Sequence, residues 1–237
     1  MVESIDSGAI DPEFIVFSDE TWLAADRNHA NFQNDRKYFD GDVKKDEVMG
    51  ELLHEQKQRS PGLMFHMAVC AADGGIAIAP HFVPEKTSVD SKYYCGLLEG
   101  TTLPRVRLAM NGRAWWWQQD GASPHTAKAT TNFLRDNGVP LLHSKWPATS
   151  ACLNPLDYFV WSKVKNELYL SQKYPVDTTA ELQTSALKVM QLFETDPEWK
   201  AQLRTACLSF RYRCEQIAAN GGKLIVKKRG KKERANA

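Results

Sequence analysis

Apolar residues come in short runs that end on acids or turns. Glu13 to Phe17 (EFIVF) is β-prone and is followed at once by Ser18-Asp19-Glu20, so it reads as a buried strand ending on acids. Thr21 to Ala25 reads as a separate next strand. Gly62 to Ala72 is a second apolar run, closed by the turn signal Asp73-Gly74-Gly75. Ile76 to Val83 then returns as its hairpin partner. Arg113 to Gln119 (RAWWWQQ) reads as a third strand that also ends on an acid, Asp120, and Val139 to His143 as another short one.

Helical spacing appears between these runs. Lys45 to Gln58 and Ser91 to Glu99 read as helices. Ser123-Pro124 reads as cap and first helical residue of a helix running to about Asp136, stopped by Asn137-Gly138. Asn154-Pro155 repeats the signal for a helix to about Tyr169, with the stripe Leu156, Phe159, Val160, Val164 and Leu168. Thr178-x-x-Glu181 is a capping-box pattern for a helix to Phe193, and Glu198 to Ala219 is the last helix. Residues 1–12 show no periodicity and read as a leader. The order of elements predicts a mixed α/β core followed by helices.

With 43% hydrophobic and 25% charged residues, composition is that of a globular chain, which excludes disordered and membrane-spanning classes. The start lacks a basic end followed by an apolar stretch, so a secretory signal is not expected. Five scattered cysteines without a C-x-x-C pair point to free thiols rather than a zinc site. The formal charge of +1 argues against autonomous tight DNA binding. The exception is the end, where Lys227, Lys228, Arg229, Lys231, Lys232 and Arg234 cluster. That run reads as a solvated tail, a phosphate-binding arm or a nuclear-import signal.

Three acids carry the candidate chemistry. Asp19 and Asp120 fall just past apolar strands, where open α/β sheets place their ligands. Asp157 falls in the first turn of a helix, beside the positive end of its dipole. If the fold brings them together, they make a hard oxygen site suited to magnesium or manganese. Each also has a structural reading: Asp19 as a turn residue, Asp120 as half of an Asp-Gly turn, Asp157 as the acid of a capping box opened by Asn154. With 29 acidic residues in the chain, spacing alone decides nothing.

The surrounding wording is more specific. FSDETW (17–22), QQDGASPHTA (118–127) and LNPLDYFVW (153–161) resemble, in order, the three catalytic motifs of mariner-superfamily transposases. QNDRKYF (33–39) and CEQIAANGGKLI (214–225) are similar to flanking blocks of that family, so the resemblance spans about residues 14–225. Asp120 and Asp157 are separated by 36 residues, a gap by which the family is subdivided, and the third acid is of the Asp type. Two departures stand out: Ser150-Ala151-Cys152-Leu153 where Ser-Pro-Asp-Leu is common, and Ser123 in place of a common proline.

The resemblance implies a ribonuclease H-like mixed sheet flanked by helices, with a helical C-terminal extension. It implies a core at residues 13–170, helices at 171–222 and a basic tail at 223–237. It further implies that Asp19, Asp120 and Asp157 hold two Mg2+ or Mn2+ ions for cleavage of double-stranded DNA at transposon terminal repeats and strand transfer into target DNA. A homodimer in the full-length protein and a nuclear location go with this reading. Only residues 1–12 precede the first strand, where the family carries DNA-binding modules, so an isolated catalytic domain is expected. His125, five residues after Asp120, is a candidate contact to substrate phosphate or a helix-start polar residue; Trp161 is expected to wall the site. Trp115 to Trp117 read as core residues rather than a base-stacking surface. The alternatives are a transposon-derived module that binds DNA or protein without cutting, and a cellular ribonuclease H, which fits the fold but not the motif wording.

Overall fold

The computed structural model describes residues 2–25, 62–143, 146–147, 150–170 and 176–222. The QNDRKYF block, the helix expected over Lys45 to Gln58 and the basic tail lie outside the described residues.

A sheet of order β3-β2-β1-β4 forms the centre. Its strands are β1 (Ile15–Ala24), β2 (Gly62–Cys70), β3 (Ile76–Phe82) and β4 (Trp116–Gln118). β1, β2 and β3 form an antiparallel meander, whereas β4 joins β1 in parallel. A single parallel bridge from Trp117 to Leu141 adds a fifth, one-residue edge. Val139 to His143 was expected to be a strand; Pro140, which has no amide hydrogen, limits the pairing to that bridge.

β1 differs most from the sequence reading. It is one strand of ten residues, so Asp19 lies in its middle and not past its end. The reason is β2, which pairs with β1 from Phe17 to Ala24 and carries the ladder straight through the polar triplet. Strand alternation then sorts the residues onto two faces. Ile15, Phe17 and Leu23 enter one core with the C-terminal helices; Val16 enters the other with Tyr94, Trp117 and Leu134. Asp19 and Glu20 therefore point to opposite sides of the sheet.

The helices, in order, are α1 (Val2–Asp6), α2 (Ser91–Leu97), α3 (Leu103–Met110), α4 (Ser123–Thr126), α5 (Lys128–Asp136), α6 (Trp161–Leu170), α7 (Thr179–Thr195) and α8 (Pro197–Ala219). Three depart from expectation. The supposed leader holds α1, whose Asp6 pairs with Arg211 of α8 at 2.7 Å. The helix begun at Ser91 continues into α3 through a π turn at Leu98–Thr102, just before Pro104, whose ring nitrogen cannot donate. The helix expected from Ser123 is capped at Ala122 and broken at Ala127, where ψ is 143°. Thr178 does cap α7 through Glu181, although the Glu181 carboxylate returns to Asp177.

α6, α7 and α8 cover one face of the sheet and share its core; α2, α3 and α5 cover the other. Trp117 is fully buried, as expected of that aromatic run. All five cysteines are free. No described helix is long and apolar enough to cross a membrane.

The β2–β3 turn docks on α8 at Gly75, where φ is +109° and an added Cβ would stand 2.5 Å from the Lys200 carbonyl oxygen. Gly75→Ala is expected to cost about 2 kcal/mol or more in urea unfolding, from backbone strain plus the clash. Gly74→Ala, with positive φ but open space around it, is expected to cost about 1 kcal/mol. Equal losses would show that α8 gives way at no cost.

Candidate functional site

Asp19 and Asp157 meet on the α6 face of the sheet. Asn154 builds the junction: its side-chain oxygen accepts from the Leu156 amide at 3.1 Å and its amide donates to the Ser18 carbonyl at 3.3 Å. The start of the helical segment is thus tied to β1 one residue before Asp19. A π turn at Leu156–Val160 carries Asp157 and leads into α6. The Asn154 amide hydrogen goes to the Ala151 carbonyl, so Asp157 does not complete a capping box. Instead its carboxyl lies within hydrogen-bonding reach of that of Asp19. The altered loop is ordered: Ala151–Leu153 form a 3-10 turn, and the Cys152 carbonyl accepts from Arg213 at 3.0 Å.

Trp161, one turn after Asp157, does more than wall the site. Its indole nitrogen donates to Asp19 Oδ2 at 2.7 Å, and its ring packs edge-on against Phe65, centroids 5.8 Å apart. Lys165, one turn further, donates to Thr21 Oγ1 at 2.8 Å beside the same acids. Asn154 was read in the sequence as the helix cap, whereas Lys165 was not singled out, although Asp157, Trp161 and Lys165 repeat every four residues along one helical face.

Asp120 arrives from β4, on the strand adjacent to β1. Its Oδ1 accepts from the Ala122 amide at 2.9 Å and meets His125 Nδ1 at 2.5 Å. The Asx turn expected of Asp-Gly is therefore present, and Asp120 is also half-exposed towards Asp157, whose titration it affects. His125 is buried; its Nε2 lies 3.5 Å from Glu20 Oε2. Both ring nitrogens thus face carboxylates of the protein, which places His125 behind Asp120.

The charges explain the titration behaviour. Burial, then the charge of Asp157, raises the Asp19 carboxyl to about 8, against the opposing hydrogen bond from Trp161. Burial of its inner side and the charge of Asp120 raise Asp157 to about 6, although its outer side is exposed. Burial would also raise Glu20, but hydrogen bonds from His125 and His66 overcome it and hold Glu20 at about 2. Burial works against a charged His125, yet Asp120 and Glu20 lift it to about 9.

The acid pair on the α6 face has Lys165 beside it, but that charge does not offset burial and the neighbouring acids, whereas Glu20 and Asp120 are held by histidines. Gln118 Oε1, on the same sheet face as Phe17, is a further buried acceptor with no partner among the described residues. Unpaired carboxylates and an orphaned carbonyl are hard oxygen donors that fit a divalent ion such as magnesium or manganese. Among the described residues no group of three acids, histidines or cysteines is placed so as to hold a metal ion.

No protein-family model matches the chain. Over 80 residues, 34% of this chain and 28% of the relative, it is 35% identical to the transposable element Tcb2 transposase of Caenorhabditis briggsae. It resembles the Mos1 transposase in a paired-end complex with the left transposon end, at a TM-score of 0.67 and 18% identity over 95% of this chain and 60% of that one. It also resembles the Mos1 transposase catalytic domain with raltegravir and Mg, at a TM-score of 0.63 and 16% identity over 95% of this chain and 91% of that one. The chain thus spans less than two thirds of the Mos1 protein in the paired-end complex.

The raised acids give a pH prediction. Asp19 and Asp157 titrate above the ordinary 3.8, so they favour the fold while protonated; that contribution is complete below about pH 4 and is lost as pH rises through about 6 and about 8. His125, lifted from 6.5 to about 9, loses its contribution over that higher range. Glu20 acts oppositely, losing its contribution as pH falls from 4.5 towards about 2. In chelator-treated protein the melting temperature should fall between pH 5 and 8.5. Asp19→Asn should melt on the order of 3 °C higher than wild type at pH 8, with a shallower decline. Parallel profiles for the two proteins would contradict the charge assignment. The chain shares the fold of the Mos1 catalytic domain, and one stretch of it is similar in sequence to the Tcb2 transposase.

Proposed function

We propose that this chain cuts double-stranded DNA at transposon ends and joins the cut end to target DNA, with Asp19, Asp120 and Asp157 as the divalent-metal ligands. The observation that carries the reading is the meeting of Asp19 and Asp157, both raised in pKa despite the nearby Lys165, with Asp120 next to Asp157. Repulsive carboxylates of this kind are costly to the fold and are kept where a cation relieves them. Two bound Mg2+ or Mn2+ ions would supply Lewis acidity to the scissile phosphate and a nucleophile at neutral pH.

The chain's own residues do the remaining work. Trp161 fixes Asp19 by its indole hydrogen bond, and Asn154 fixes the turn that carries Asp157. His125 holds Asp120 by one oxygen; we read it as a support for that acid rather than as a phosphate contact. Lys165 sets a cation next to the acids, in position to meet a substrate phosphate. In the first step water attacks phosphorus, the P–O3′ bond breaks and a 3′ hydroxyl is released. In the second, that hydroxyl attacks a target phosphodiester and displaces its 3′ oxygen. Both are in-line displacements at phosphorus, so one site serves both.

Double-stranded DNA is the proposed partner, with a homodimer and a nuclear location for the full-length protein. The proposed division remains a core at 13–170, helices at 171–222 and a basic tail at 223–237. The non-cleaving alternative gains nothing from the loop at Ala151-Cys152, which is hydrogen-bonded and leads into a well-tied Asn154.

The decisive comparison is Asp157 against Glu167. Glu167 opens instead on a separate cleft with Tyr158, Ser162, Asn166 and Trp199. Asp157→Asn is expected to abolish magnesium-dependent nicking of duplex DNA while changing stability at pH 7 by no more than about 1 kcal/mol. Glu167→Gln should keep most activity. Calcium should bind without supporting turnover, because its larger, looser shell suits in-line geometry poorly. Nicking retained by Asp157→Asn would remove that residue from the site.

A further inference from the structure

On the sheet face opposite Asp19 lies a chain of buried polar groups. Thr102 Oγ1 lies 3.3 Å from His66 Nε2, and His66 Nδ1 lies 2.9 Å from Glu20 Oε1. Glu20 Oε2 lies 3.5 Å from His125 Nε2, and His125 Nδ1 reaches Asp120 Oδ1. His66 is fully buried and His125 is 2% exposed. Tyr94 packs against the His125 ring at a tilt of 39°, with centroids 4.2 Å apart.

We infer that Glu20 and His66 are positioning residues, a buried brace that runs from β2 through His125 and holds Asp120 in one orientation for metal binding. The inference rests on the reading of Asp120 as a metal ligand.

Three features point this way. Glu20 and His66 are direct cross-strand partners, so their separation is set by the β1–β2 register and not by side-chain freedom. The chain of contacts ends on one oxygen only: Oδ1 of Asp120 takes both His125 and the Ala122 amide, and Oδ2 has no partner among the described residues. An oriented carboxylate with one oxygen fixed and the other open is what an outer-shell partner produces in a metal site. Finally, a buried carboxylate between two histidines is a poor way to stabilise a fold, since apolar side chains of similar volume usually serve as well or better. Its place beside Asp120 suits a role in holding that acid.

Gln119 supports the same turn from the side. Its Oε1 accepts from Tyr94 at 3.0 Å and from the Trp117 indole at 3.1 Å, and its amide donates to the His125 carbonyl at 2.9 Å. The backbone of His125 is thus held through β4 and its ring through β1 and β2, so each can be varied without the other.

The test is manganese binding by the intact chain, read from the free-ion signal in electron paramagnetic resonance, together with melting temperature and manganese-dependent nicking. His66→Leu removes the brace but keeps an apolar side chain of similar bulk. His66→Asn keeps a donor near the place of Nδ1, and Glu20→Gln removes the central charge. His66→Leu and Glu20→Gln should each weaken manganese binding about 10–100-fold and lower kcat in step, with KM for DNA within roughly twofold, and His66→Asn should recover most of the affinity. Asp120→Asn is the reference and should lose binding outright. Wild-type manganese affinity in folded His66→Leu or Glu20→Gln, beside loss in Asp120→Asn, would overturn the brace while leaving the metal site standing. Should one of the two not fold, the other decides. Wild-type affinity in Asp120→Asn would instead overturn the metal assignment and the brace with it.

Discussion

Residues 19 and 120 are far apart in the chain and come from neighbouring strands because Phe17 pairs with Gln118 in the parallel β1–β4 ladder. That register depends on Ile15, Val16 and Phe17 being buried against both helical layers, one residue in and the next out. A strand buried on both faces has no tolerance for slippage, since a one-residue shift would exchange every side chain between the two cores. The ladder thus fixes the site before any polar contact is made. Trp161, Asn154 and His125 refine positions that strand pairing has already brought within reach.

Two adjacent acids on β1 meet opposite electrostatic fates because alternation sends them to different surroundings. Glu20 enters a layer that offers two histidines and stays ionised at about 2. Asp19 enters a layer where burial and another acid outweigh an indole hydrogen bond and the nearby Lys165, and it rises to about 8. Burial pushes both upward; the neighbours decide the sign. The compensated acid belongs to the support of the site, and the uncompensated one to the part that is proposed to receive a cation.

Much of this was legible in the chain. The β2–β3 hairpin, the acids and the helical stripe after Asn154 were all signalled by periodicity, turn residues and caps. The extent of β1 was not, because Ser18-Asp19-Glu20 is polar and only tertiary pairing with β2 reveals that the strand passes through it. Val139 to His143 misled in the other direction: the run is apolar because it is buried, while Pro140 prevents regular pairing. Glu20 and His66 could not be found from spacing, since a lone histidine in the apolar run of β2 looks like any buried polar residue. Their significance comes from the β1–β2 register, which sequence patterns specify poorly. Lys165 and Trp161 were within reach, because helical period alone puts them in line with Asp157.

The three acids are not equally tied to the length of the chain between them. Asp19 is locked by a ladder on either side, so one inserted residue in β1 would deliver Glu20 to the wrong layer. The 36 residues from Asp120 to Asp157 contain two short helices, a one-residue bridge and a 3-10 turn before Asn154 re-anchors the backbone to Ser18. Lengthening such a connection costs little, because closure entropy grows only with the logarithm of its length. Divergence in this architecture is therefore free to change the second gap by a residue or several. Residues Ile15 to Glu20 must keep their count, whatever else about them is allowed to drift.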